Sequence, residues 1–312
     1  KMLAMSQSGL RVIAVGQQKI ESSQEIPADI NSCQLHFLGL IGLADPPREH
    51  IQEDIRTCAK AGVRVVMITG DNGSTAAAIA KQVGIRGWNQ VLTGDMLDKM
   101  SDEELCEAVK TVNIFSRVIP EHKMRIVRAF QKNGNIVAMT GDGVNDAPAL
   151  KYADIGIAMG KRGSEVAREA ADLVLMDDNF STIVDTIRDG RRIYDNIRKA
   201  VGYVFTIHIP IALSSLLAPM LGITAPALLP LHVMLLELII DPTCSIVLER
   251  QPAEDDIMER PPRAPQAKIL TASLLLKSVI QGLIIFAVSF GAYFIALAGD
   301  PANAPLARSL GL

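Results

Sequence analysis

From Ala200 to Ile223 the chain runs for 24 residues without a lysine, arginine, aspartate or glutamate. As a helix rising about 1.5 Å per residue, such a run covers the ~30 Å hydrocarbon core of a bilayer. Two more apolar runs follow, Leu228 to Leu248 and Ile269 to Ala298. One run of this kind can be the buried helix of a soluble protein. Three in series predict an all-α membrane region with transmembrane helices over 200–223, 228–248 and 269–298, and with the lipid bilayer as partner. Only a few residues around Thr224-Ala225-Pro226 separate the first two, so they form a tight hairpin. Arg191, Arg192, Arg198, Lys199, Arg250, Arg260, Arg263 and Lys268 flank one side of the spans, with Arg308 alone on the other. An excess of positive charge marks the cytoplasmic side. The residues before 200 are therefore expected in the cytoplasm, and those from 299 to 312 form a tail outside.

The residues ahead of the spans hold almost all the charge and read as soluble α/β. Apolar strands are expected over 11–15, 35–43, 63–68, 112–115, 136–139, 155–159 and 173–175, and helices over 49–61, 75–83, 101–110 and 121–132. Val63 to Ile68 shows no polar alternation, as expected of a parallel strand covered on both faces. Ser101 followed by Glu104 is a capping-box pattern. Strand and helix alternating at this spacing predict a doubly wound parallel sheet, with its site at the carboxyl ends of the strands. Phe180 to Lys199 is amphipathic and charged, a stalk helix feeding the first span. A net charge of −3 without a basic tract argues against a nucleic-acid partner. The four scattered cysteines read as reduced thiols.

Chemistry concentrates in Thr140-Gly141-Asp142-Gly143-Val144-Asn145-Asp146-Ala147-Pro148-Ala149, directly after the apolar run 136–139. Glycines let backbone N–H groups approach an anion closely. Asp142 and Asp146 supply the hard oxygen ligands that Mg²⁺ shares with phosphate. In the second span, Glu237 and Asp241 lie one helical turn apart and share a face, and Pro242 disturbs the helix beside them. Ionisable groups inside a span are costly and mark functional positions. Carboxylates beside freed carbonyls suit a hard cation, and His208 in the preceding span can face them.

The stretch TGDGVNDAPA resembles the hinge signature of the P-type cation-transporting ATPases, whose phosphorylation domain is haloacid-dehalogenase-like. Asp45-Pro46-Pro47-Arg48 resembles the DPPR segment of that family, and Met67-Ile68-Thr69-Gly70-Asp71-Asn72 its ITGDN strand end. Ile257 to Arg263 (IMERPPR) is similar to the loop between its sixth and seventh membrane helices. The resemblance implies ATP and Mg²⁺ as cofactors. It implies catalytic roles for Thr69, Gly70, Lys123 and Asn145, cofactor contacts from Asp71 and Asp142, and Mg²⁺ ligation by Asp142 and Asp146. The transported ion falls to Glu237, Asp241 and His208. The domains it implies are the end of the nucleotide-binding domain with its return hinge (1–34), the phosphorylation domain (35–179), the stalk (180–199), the spans (200–298) and a tail (299–312).

The DKTGT string that carries the phosphorylated aspartate in the family does not occur. The chain is thus expected to be the C-terminal portion of a calcium-pump-like ATPase, a partial pump inactive without its missing N-terminal part, in a plasma or cytoplasmic membrane. Glu237 stands where calcium pumps carry an asparagine, and His208 and Ile211 where they carry an asparagine and a glutamate. Ca²⁺ is the expected cargo, with H⁺ and Na⁺ as alternatives because a Glu–His pair also carries a proton. A non-catalytic membrane-bound fragment and a haloacid-dehalogenase-type phosphatase are the competing readings. Cys244, two residues past Pro242, does not form the Cys-Pro pattern of a copper or zinc pump.

Overall fold

The computed structural model describes residues 1–20, 27, 29–223, 225–297 and 300–311, and gives the backbone alone for Asp241 and Ser245. Residues 21–26 and 28 within the expected return hinge, the hairpin residue Thr224, the last residue of the third span, Ala298, and the side chain of Asp241 lie outside the described residues. The chain forms two compact units, Lys1–Asp185 with Met258–Pro262, and Thr186–Ile257 with Arg263–Leu312.

The first unit begins with α1 (Met2–Gln7), β1 (Arg11–Gln17) and β2 (His36–Leu43). It continues through α2 (Ile51–Lys60), β3 (Met67–Ile68), α3 (Gly73–Val83), β4 (Val91–Thr93), α4 (Gly94–Leu97) and α5 (Asp102–Ala108). Then come β5 (Ile114–Ser116), α6 (Pro120–Lys132), β6 (Ala138–Gly141), α7 (Ala147–Tyr152), β7 (Ile155–Met159), α8 (Glu165–Ala170) and β8 (Leu173–Leu175). The strand–helix alternation yields parallel pairing, as the spacing required. The parallel strands fall into two sheets, β3-β5-β4 and β6-β7-β8, in place of one continuous sheet. The run 63–68 contributes only two strand residues, which leaves β3 a short edge. Ile68 and Val137 nevertheless pack against the cores of both sheets.

β2 differs from expectation in its partner. It pairs antiparallel with β1 and joins neither parallel sheet. Gly42 admits this ribbon's neighbours, because an added Cβ would lie 2.8 Å from Leu10 and 2.9 Å from Met5. The short β4 and α4 were not anticipated. Helix ends follow their local chemistry. Asn72 accepts from Ser74 N–H at the start of α3, and Gly84 ends it at φ +85°. Ser101 and Glu104 form the reciprocal capping box of α5. The principal core, including Leu97, Leu105, Val109, Phe115 and Ile126, lies between β4–β5 and α5–α6.

The second unit takes up α9 (Phe180–Met220), which begins in the first unit and merges the expected stalk and first span into one helix of 41 residues. α10 (Pro230–Thr243) follows, then a π-helical turn (Cys244–Leu248), α11 (Ala272–Leu297) and α12 (Ala304–Gly311). Among the described residues α9 and α11 are long and apolar enough to cross a membrane, and α10 holds a shorter apolar stretch, Pro230–Ile240, ahead of Asp241. Pro242 lies inside α10 and has no N–H to give the helical ladder. The Thr243 hydroxyl donates to Ile239 O at 2.7 Å, and π spacing begins at Cys244. α9 and α11 meet through small residues, as close helix packing in lipid requires. Ser278 Oγ donates to Gly202 O at 2.9 Å, and a Cβ on Gly282 would lie 2.9 Å from Ile209. Part of the expected tail is helical, because Ala304 and Ala307 of α12 bury themselves beside Tyr293 and Leu297.

Leu105→Ala should destabilise the first unit by about 2–5 kcal/mol. Urea unfolding of the detergent-solubilised chain, followed by the fluorescence of its one tryptophan, Trp88, measures this. A shift under ~0.5 kcal/mol would contradict the central place given to Leu105.

Candidate functional site

β6 delivers the chain into the turn 141–146, and one buried carboxylate organises that turn. Asp146 is 7% exposed. Its Oδ2 accepts from Gly143 N–H at 3.1 Å and Asp142 N–H at 3.3 Å, while Oδ1 pairs with Lys123 Nζ from α6. A buried carboxylate is tolerated only when paired and hydrogen-bonded, and here both oxygens are engaged. Gly141 is required by this arrangement, because a Cβ there would come within 2.5 Å of Asp146 Cβ. Asp142 and Asn145 stand exposed on the same turn. Among the described residues the Asp142 carboxylate accepts no hydrogen bond and joins no ion pair, so its oxygens point outward unused.

Lys123 differs from its charged neighbours on α6. Arg125 is held by Leu97 O and Met100 O, both at 2.8 Å, and by Asp102. His122, 3% exposed, is held by Asp98 at 2.7 Å. These partners belong to the core around α4 and α5. Lys123 alone of the three reaches the turn after β6.

β3 brings up the second group. Thr69 N–H donates to Phe115 O at 2.9 Å, and Val118 N–H donates to Thr69 O at 3.2 Å, which continues the β3–β5 ladder beyond the strands. Asp71 N–H donates to Thr69 Oγ1 at 3.1 Å, and the Thr69 hydroxyl donates to Asp71 Oδ2 at 3.2 Å. Gly70 is exposed, with open space where a Cβ would be. Capping of α3 therefore falls to Asn72, and Asp71 serves Thr69 instead. Ile68 and Met139 pack in one cluster, so Thr69 and Thr140 each follow a residue of the same core. No hydrogen bond or ion pair links Thr69 or Asp71 to the Lys123–Asp146 pair among the described residues.

Asp178 was not singled out by sequence reasoning, although it sits in a visible Asp177-Asp178-Asn179 run. At φ +56° it accepts from Lys161 N–H and Arg162 N–H, both at 2.9 Å. Those bonds, Lys161 first, then Arg162 and Gly160, hold its carboxyl below the usual range against the opposing effect of burial. The loop 160–164 so fixed also buttresses the site, because Ser164 N–H donates to Asp142 O at 2.8 Å.

In the second unit, His208 Nε2 of α9 lies 3.3 Å from Glu237 Oε1 of α10. His208 Nδ1 faces Val204 O at 2.9 Å. Both ring nitrogens thus face oxygen. Among the described residues no three His, Cys, Asp or Glu side chains converge on a common point.

Residues 225–311 match the family model described as "Cation transporting ATPase, C-terminus". Residues 10–154 and 123–187 match two models described as "haloacid dehalogenase-like hydrolase". The "Calcium-transporting ATPase" of Bacillus subtilis is 41% identical over 98% of this chain, which covers 34% of that relative. The "Cation-transporting ATPase pma1" of Synechocystis is 41% identical over 93% of the chain and 32% of its own length. For the human "Calcium-transporting ATPase type 2C member 1" the figures are 40%, 90% and 29%. The chain spans about a third of the length of the curated relatives it matches.

Two substitutions test the construction of this site. Gly141→Ala should displace Asp146 and lower the thermal midpoint of the first unit, while Gly39→Ala in β2 serves as the comparison for a glycine with open space around it and no positive φ. The depressed carboxyl of Asp178 contributes stability above its unfolded value of about 3.9, and that contribution is lost as pH falls through the lower folded value. Asp178→Asn should therefore flatten the acid limb of a midpoint-against-pH curve. An unchanged acid limb would show that Asp178 does not couple to the fold.

Proposed function

The chain belongs to the P-type cation-transporting ATPases, and from that premise we propose that it forms part of an ATP-driven pump that moves a cation across a membrane through a phospho-aspartate. The observation that carries the chemistry is the turn after β6, where Lys123 and two backbone amides hold Asp146 and leave the Asp142 carboxylate open. Phosphoryl transfer asks the protein chiefly for positioning and charge. Lys123 and the Thr69 hydroxyl hold phosphoryl oxygens, Gly70 offers its N–H, and Asn145 donates its amide. Asp71 orients Thr69 through the bond the two side chains share.

Mg²⁺ and ATP are the cofactors of this reading. Asp142 fits a Mg²⁺ ligand directly. Asp146 has both oxygens engaged and acts mainly by fixing the turn that presents Asp142, with Mg²⁺ ligation open to it through a remaining lone pair. When bound, the metal neutralises phosphate charge. The nucleophilic aspartate is not among these 312 residues, so the chain by itself is inactive and works with the rest of the pump. The domain bounds read from the sequence, with the phosphorylation domain over 35–179 on the cytoplasmic side, form part of the same proposal.

The cargo site lies at His208, Glu237 and Asp241. Ca²⁺ is the first choice, supported by hard carboxylate oxygens beside the Pro242 break and by the names of the relatives. A second reading, H⁺ transport, is favoured by one observation, the His208–Glu237 contact, which joins two side chains that can each exchange a proton.

ATPase activity of the full-length parent in sealed vesicles, titrated with Ca²⁺, Na⁺ and pH, decides among these. Stimulation by Ca²⁺ that disappears in Glu237→Gln and Asp241→Asn is the expected result. Activity independent of Ca²⁺ and Na⁺ but coupled to acidification, and lost in His208→Gln, would give the cargo as H⁺. Activity retained in every variant would remove the cargo assignment and leave the phosphoryl site, whose own check is loss of turnover in Asp142→Asn.

A further inference from the structure

The first unit holds a cavity that the phosphoryl chemistry does not use. It measures about 580 Å³ and lies between α2, the end of α3 and the loops that enter β3 and β5. Those loops precede their strands, so the cavity opens at the amino ends of β3 and β5, away from Thr69 at the carboxyl end. Arg56, Arg64, Lys81, Arg86 and Lys110 line it, and no aspartate or glutamate does.

The five cations are held in different ways. Arg64 is locked, with Nε on Asn113 Oδ1 at 2.5 Å, Nη1 on Lys110 O at 3.1 Å and Nη2 on Val112 O at 2.8 Å. All three acceptors are neutral, so the guanidinium charge has no counter-ion, and burial pushes its pKa down accordingly. Lys81 lies 4.7 Å above the Trp88 ring, and Lys110 meets Glu107 at 2.5 Å. Arg56 and Arg86 join no ion pair among the described residues. The carbonyl ends of α2 and α3 offset roughly half a charge each, less than the lining carries. A neighbouring cavity of about 590 Å³ shares Arg56 and adds Arg48 and Lys60 against one acid, Glu53.

We infer that this cleft binds a ligand carrying two or more phosphate groups. A single phosphate engages two or three donors at once, and cations spread around 580 Å³ call for more than one anionic group. The volume suits a small ligand. Arg64 is pre-organised at the floor, and the unpaired Arg56 and Arg86 are available to close on the phosphates bidentately. Such chemistry is offered both by a soluble polyphosphate and by the headgroup of a phosphorylated inositol lipid. The inference does not rest on the pump reading.

Calorimetric titration of the full chain in detergent micelles with sodium tripolyphosphate tests it. Arg56→Gln/Arg86→Gln is the variant, since both residues are exposed and neither is in an ion pair. It leaves Thr69, Lys123 and Asp142 in place, so any lost binding belongs to the cleft. Binding that weakens at least ~10-fold in the variant, and that falls steeply with salt, supports the site. Absence of binding to the wild-type chain, or equal affinity in the variant, overturns it. Repeating the titration in phosphatidylcholine nanodiscs with and without phosphatidylinositol bisphosphate separates the sources. Tripolyphosphate displaced only by the inositol lipid identifies a headgroup site, and undiminished binding identifies a soluble ligand.

Discussion

The buried carboxylate of Asp146 sets the conditions for everything around it. A charge so nearly removed from water has to be matched by donors in place before any ligand arrives. Lys123 provides one, and the amides of Asp142 and Gly143 provide the rest. Meeting that demand dictates a glycine at 141, a tight turn at 142–146 and an α6 whose first turn points its lysine at β6. Asp142 is consequently displayed by a turn that cannot easily relax. This agrees with a chemistry in which charge is received by a framework already in position.

Local chemistry made much of this legible. The capping box at Ser101, the helix stop at Gly84 and the strand at Ile155–Met159 each follow from a few neighbouring residues, and they match the structure closely. Lys123 was not separable from Glu121, His122 and Arg125 by charge or spacing. Only the resemblance singled it out, and its partner across the fold explains why. Asp178 shows the converse difficulty. Its role depends on amides 16 and 17 residues earlier, a relation that no local pattern encodes. The pairing of β2 with β1 was hidden for a similar reason, since an apolar run announces a strand without naming its neighbour.

In the second unit, apolar length announced helices but not their interruptions. Pro242 marked a disturbance in advance. Its form, a hydroxyl on Ile239 O followed by π spacing, depends on Thr243 being next in line. The polar loop after α10 is held by donors from α9. Asn196 reaches Glu249 O and Gln251 O, Arg191 reaches Ile257 O, and the Arg263 guanidinium stacks 3.4 Å over the ring of Tyr194. The basic residues that the sequence offered as markers of orientation thus also fasten a connection.

The length of α9 has a mechanical consequence. At about 1.5 Å per residue, its 41 residues make a rod of about 60 Å, twice the thickness of a hydrocarbon core. Such a rod is stiff in bending wherever its ladder of hydrogen bonds is complete. Of its two internal prolines, Pro219 lies next to the end, so within the body of the rod compliance concentrates at Pro210, where the bond to the carbonyl of Thr206 has no donor. His208 sits beside that soft point. A force applied to the charged half of the helix would be taken up as bending within one turn of the imidazole, the side chain that meets Glu237.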